Sequence, residues 1–120
     1  MTTYHDVLEA FEGYKASRSQ KDWNKLWFLC EERMAALVKT KAKGLSVPLD
    51  AMDLMDLIRD ASIRVLRRLK EADDVTEDYI SVTFYNENRT AFEEFNRINK
   101  RWQRMNKAAG ILNKIGRAHV

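Results

Sequence analysis

The chain has 120 residues, a formal net charge of +3 and 45% hydrophobic residues, enough for one domain with its own core. It carries a single cysteine, which excludes an internal disulfide and fits a reducing, cytoplasmic setting. No apolar run approaches the roughly 18 residues of a membrane span, and MTTYHDVLEAFEGYK lacks the basic start and apolar stretch of a secretory signal.

The first predicted helix runs from about Thr3 to Lys15, with Val7, Leu8, Phe11 and Tyr14 on one side. Thr3 and Asp6 have the spacing of a capping pair, and Gly13 with the polar run Ser17-Arg18-Ser19-Gln20 ends the helix. The second helix opens at Asp22 as N-cap and runs to about Lys43, because Trp23, Trp27, Cys30, Met34, Leu37 and Val38 recur at three- and four-residue steps. Cys30 within that stripe reads as a small buried hydrophobe, not a reactive thiol, and Trp23 and Trp27 as core or its rim. Gly44 stops the helix, and Ser46-Val47-Pro48 forms the next turn.

The third helix, Leu49 to Lys70, has chemically opposite ends. Asp50, Asp53, Asp56 and Asp60 come first; Arg64, Arg67, Arg68 and Lys70 come last, an order that complements the helix dipole. At ~100° per residue the four aspartates fall within an arc of roughly 120° beside the apolar stripe Leu54, Ile58, Ala61, Val65 and Leu69. Asp74 with Glu77 marks a fresh N-terminus. Tyr79 to Tyr85 alone would pass for a strand, but no partner strand exists elsewhere in the sequence, so a long last helix is expected, with a kink or break around Tyr85 to Asn88 and an end near Gly110. Phe84, Asn88, Ala91, Phe92, Phe95, Ile98, Trp102 and Met105 share one face of it, and Arg89, Lys100, Arg104 and Lys107 another. After Glu94 no acidic residue occurs, so the chain ends in a basic stretch suited to a polyanion or an acidic protein, or to a solvated helix face. The expected fold is all-α, a compact bundle of about four helices over residues 1–113 with a long basic C-terminal helix.

Residues Ile115 to Val120, IGRAHV, are what ATC GGA AGA GCA CAC GTC encodes, the read-through of a common sequencing-library adapter. Residues 114–120 are therefore expected to be a non-native tail on a gene fragment from shotgun sequence, and neither Arg117 nor His119 is assigned a role.

Catalytic and metal-binding patterns are missing from the sequence. The glycines form no phosphate loop, His5 and His119 are isolated, and neither CxxC nor HExxH occurs. The aspartate stripe has no second helix supplying further oxygen ligands, so it is read as a solvated or docking face and not as a cation site. The expectation is a binding module without enzymatic activity, cofactor or small-molecule substrate.

The order of parts from about Leu37 to Trp102 resembles region 2 of bacterial sigma factors. Leu37-Val38-Lys39-Thr40-Lys41-Ala42-Lys43 and a turn precede Asp56-Leu57-Ile58-Arg59-Asp60-Ala61-Ser62-Ile63-Arg64-Val65-Leu66-Arg67-Arg68-Leu69, which is similar to the family's D-L-I-Q-E-G-x-I-G-L-L-R-A-V helix. Phe84-Tyr85, Asn88-Arg89-Thr90-Ala91-Phe92 and Asn96 to Trp102 then stand where the family has an aromatic stretch and a basic helix. Arg59 replaces the family's glutamine, and Phe84-Tyr85 offers less tryptophan than is usual there.

The resemblance implies that Asp53, Asp56, Arg59, Asp60 and Ser62 dock on the clamp coiled coil of core RNA polymerase. It implies that Phe84 and Tyr85 stack on bases of opened promoter DNA, and that Arg89, Arg97, Lys100, Arg101 and Arg104 contact its backbone. Base rates place most of those aromatics in a core and leave Tyr85 as the one turned to the basic face. A second DNA-reading domain would follow in an intact sigma factor; the alternative is a stand-alone region 2-like protein of the kind a phage carries. The competing reading is a small helical adaptor or phage structural protein that binds protein only.

Overall fold

A computed structural model describes the backbone of residues 1–45 and 48–117 and the side chains of residues 1–45 and 48–99. It is all-α: α1 (Tyr4–Ser17), α2 (Gln20–Lys43), α3 (Ala51–Glu71) and α4 (Glu77–Arg117). No strand occurs among the described residues, and no helix there is long and apolar enough to cross a membrane.

Local chemistry sets where each helix starts. Thr3 caps α1: its side chain accepts the Asp6 N–H at 3.1 Å while the Asp6 carboxylate accepts the Thr3 N–H at 2.9 Å, satisfying two donors reciprocally. Gly13 is interior to α1, which continues to Ser17 and ends with Arg18 in the left-handed region at φ 55°. The N-cap of α2 is Ser19, not Asp22; Ser19 Oγ accepts the Asp22 N–H at 3.2 Å, so Asp22 occupies the third helical position. Ser17 Oγ in turn donates to the Asp22 carboxylate, and this holds that acid below its usual range. Asp50 lies just outside α3 and caps it, accepting the Asp53 N–H at 2.8 Å, so the helix starts at Ala51 and not at the expected Leu49. At α4 the capping hydroxyl belongs to Thr76, which accepts the Tyr79 N–H at 3.1 Å, and not to Asp74.

The segment Tyr79 to Tyr85 is helical, as the lack of a partner strand required. α4 continues without interruption through Asn88 and past Gly110. Neighbours in sequence pack as neighbours in space: α1 on α2, α2 on α3, α3 on α4, with α4 returning to α1. Across the bundle α2 touches α4, whereas α1 and α3 do not meet.

The core at this crossing is made by Val7 and Phe11 of α1, Leu26, Cys30, Met34 and Val38 of α2, Ala61, Val65 and Leu69 of α3, and Ile80, Phe84, Ala91 and Phe92 of α4. Tyr4 packs edge-on against Phe84, with ring centroids 5.4 Å apart. Trp23 and Trp27 sit at the rim, half-buried, in a stack with Tyr14. Burial pushes the Cys30 thiol up to about 12, with Glu31 adding to the shift.

Candidate nucleic-acid and docking surfaces

The outer side of α3 is where the predicted docking residues fall, and its geometry divides them. Asp53, Asp56 and Asp60 lie along one edge of the helix by its period, and Asp56 and Asp60 face α4. Asp56 and Asp60 line a shallow cavity of about 290 Å³ together with Leu57, Glu94, Phe95 and Ile98. Asp60 accepts from Arg64 Nε at 3.1 Å, one turn along. Arg59 faces the other way. It stands with Glu31 and Glu32 at the rim of a cavity of about 350 Å³ between α2 and α3, whose floor is Phe28, Ala35, Met55 and Ile58. Phe28 and Met55 are exposed there, an apolar pair that the sequence did not single out, and Met52 is exposed in the first turn of α3.

Ser62 corrects the expectation. It is completely buried, with its hydroxyl lacking a partner, and cannot touch another protein from that position. The reason is periodicity: Ile58 and Leu66, one turn before and after it, both face inward, so Ser62 lies between them on the packed side.

The predicted DNA-contacting residues also separate. Phe84 is fully buried against Tyr4, so its assignment as a base-stacking residue is corrected to core. Tyr85, its neighbour, is 66% exposed. Arg89 follows Tyr85 by one turn, with its Nε only loosely placed against Glu93 at 3.8 Å. Arg97 lies two turns further, ion-paired with Glu94; the contact lowers the proton affinity of the Glu94 carboxylate and raises that of the guanidinium. The side chains of Lys100, Arg101 and Arg104 lie outside the described residues.

Tyr85 and Arg89 stand at the edge of a groove of about 530 Å³ between α2 and α4. The far wall comes from α2: Arg33, Leu37, Thr40 and Lys41. Two aromatic faces hold these cations in place. The Arg33 guanidinium lies 4.4 Å from the centroid of Tyr4, and Lys41 Nζ lies 5.4 Å from that of Phe92. Neither cation has a carboxylate partner among the described residues.

Asn88 lines the same groove at 6% exposure, and its side-chain oxygen is buried without a hydrogen-bond partner. The basic character of α4 was legible in sequence. The contribution of α2 was not, because Arg33 and Lys41 reach the groove only through the packing of two helices distant in the chain.

Among the described residues, no group of three or more His, Cys, Asp or Glu is placed to hold a metal ion. Comparison of the chain with known protein families, with curated proteins and with solved structures finds no match.

Proposed function

We propose that the chain is a sigma-factor-like transcription initiation domain. In this reading it is a binding module and not an enzyme: it docks on core RNA polymerase through α3 and contacts promoter DNA through α4. One observation carries the reading, the opposite placement on α4 of the aspartate-lined edge and the Tyr85–Arg89 groove. Asp56 and Asp60 border the α3–α4 edge that also carries Glu94, whereas Tyr85 and Arg89 open onto the cation-lined α2–α4 groove. Tyr85 and Glu94 are nine residues apart, half a turn around the helix at ~100° per residue, so the exposed aromatic and the acidic α3–α4 edge lie on opposite sides of α4, which supports separate partners for the two.

The docking set is Asp53, Asp56, Arg59 and Asp60, without Ser62. The DNA-contacting set is Tyr85 and Arg89, extended by Lys100, Arg101 and Arg104 along α4. Arg97 is the weakest member, since any phosphate contact competes with Glu94.

The test is capture of bacterial core RNA polymerase by residues 1–114, beside an Asp56→Arg, Asp60→Arg double variant. Both aspartates lie outside the buried core, so the variant is expected to fold. Capture by the wild type and its loss in the variant is the expected result. Absence of capture by the folded wild type, across polymerases from several bacteria, would reject the docking assignment.

A second reading, a helical adaptor binding only protein, draws on the exposed Phe28, Met52 and Met55. Polymerase capture that survives the charge reversals but fails in a Phe28→Glu, Met55→Glu variant would favour that apolar patch over the aspartate edge.

A further inference from the structure

The outer side of the α2–α3 pair carries an apolar face that the four-helix core does not use. Phe28 is 65% exposed and Met55 59% exposed, two large side chains on neighbouring helices. They flank the cavity of about 350 Å³ whose floor adds Ala35 and Ile58. The helical period places them there: Phe28 and Ala35 share the side of α2 that points away from Leu26 and Cys30, which enter the core. An exposed aromatic ring beside an apolar cavity marks an interaction surface.

The rim indicates what covers it. Glu31 accepts a hydrogen bond from Trp27 Nε1, and Glu32 accepts one from Thr2 Oγ1 at 2.7 Å, so both carboxylates are held in place with acceptor capacity to spare. Arg59 stands on the same rim, and no carboxylate among the described residues lies within ion-pairing distance of it. One face therefore holds a projecting ring and a cavity, and two carboxylates and a guanidinium that do not pair with each other. A wholly basic partner would oppose Arg59, and a wholly acidic one the two glutamates. Across a two-fold axis the same surface meets itself, and each half finds its complement twice.

We propose that the α2–α3 face binds a second copy of this chain: Phe28 of each protomer enters the other's cavity, and each Arg59 pairs with the partner's Glu31 and the partner's Glu32. The face is small, so the dimer is weak and reversible. The inference needs neither polymerase nor DNA; its one link to the proposed function is that the dimer withdraws Arg59 from the docking set.

The experiment is sedimentation equilibrium of the full chain over roughly 10 μM to 1 mM. The weight-average mass is expected to climb from that of the monomer toward twice that value. Phe28→Ser should weaken association about tenfold or more, as loss of a central aromatic anchor does. Arg59→Glu alone, and Glu31→Lys with Glu32→Lys, should each abolish the dimer. An equimolar mixture of these two charge variants should restore it, because every reversed charge then meets its opposite across the axis. Recovery in the mixture excludes misfolding as the cause of the loss. Phe28 is exposed, so its variant reports even where a charge variant fails to fold.

A constant monomer mass over that range overturns the proposal; loss of polymerase capture in the Phe28→Glu, Met55→Glu variant would then assign the face to polymerase. A dimer that none of these variants weakens also overturns it. Self-association without polymerase capture sinks the docking reading alone, and capture by a protein that stays monomeric sinks this inference alone.

Discussion

Cys30 lies at the centre of the bundle with no exposed surface, and burial raises its thiol far above the range in which thiolate forms near neutrality. The native protein is expected to resist iodoacetamide at pH 8 and to be alkylated fully in denaturant; fast native labelling would show that α2 opens locally. Gly13 presents the opposite case. It sits inside α1 with a negative φ, and a Cβ built there meets nothing within 4 Å. Gly13→Ala should therefore stabilise the fold by about 0.5–1 kcal/mol, read as a raised urea midpoint with unchanged slope. Single residues were unevenly legible in the sequence. The Thr3–Asp6 pair depends on three-residue spacing alone and is found where expected, whereas Asp50, read as part of the third helix, is its cap. Ser19 caps α2 three residues before the expected Asp22, because both residue types cap well and the apolar period does not separate the two positions. Ser62 entered the docking set only through the resemblance, whereas its position between Ile58 and Leu66 puts it on the packed side.

At the scale of the element, α4 carries adjacent aromatic residues with opposite fates. Phe84 is wholly buried and Tyr85 two-thirds exposed, because one residue step rotates the side chain by about 100°. Phe84→Ala should cost about 3–5 kcal/mol, a large part of the stability of a domain this size, whereas Tyr85→Ala should shift it by less than about 0.5 kcal/mol. Chemical denaturation of the two variants checks both values; a comparable loss for Tyr85→Ala would mean that it is a packing residue and would weaken its use as a base platform. The long amphipathic faces of α2, α3 and α4 were plain in sequence because their period is repeated many times. The division of the α3 docking residues between two edges was not, since it depends on which side α2 and α4 take. Arg68 shows the same limit: it donates to Glu87 across the α3–α4 interface at 3.2 Å, a partnership nineteen residues away in the chain.

For the molecule as a whole, the proposed function requires a binding to nucleic acid that weakens with salt in proportion to the number of cations engaged. The groove supplies Arg33, Lys41 and Arg89, so the triple replacement by alanine should flatten the plot of log affinity against log salt; an unchanged slope would place the phosphate contacts elsewhere on the molecule. The all-α class followed from composition and period. The groove did not, because it is a property of the α2–α4 diagonal and of no single segment.

The order in which the helices touch has a kinetic consequence. Three of the packed pairs join consecutive helices, and the turn between α1 and α2 is only Arg18 and Ser19. Long loops of chain are closed by the diagonal α2–α4 contact and by the return of α4 onto α1, through Tyr4 on Phe84 and His5 beside Glu77. Such topologies refold in microseconds to milliseconds. The α1–α4 seam is expected to be absent from the rate-limiting barrier and to form after it, so that Tyr4→Leu quickens unfolding and leaves refolding nearly unchanged. Stopped-flow traces in urea would reveal this as movement of one arm of the chevron only; a slowed refolding arm would instead make the seam part of the nucleus.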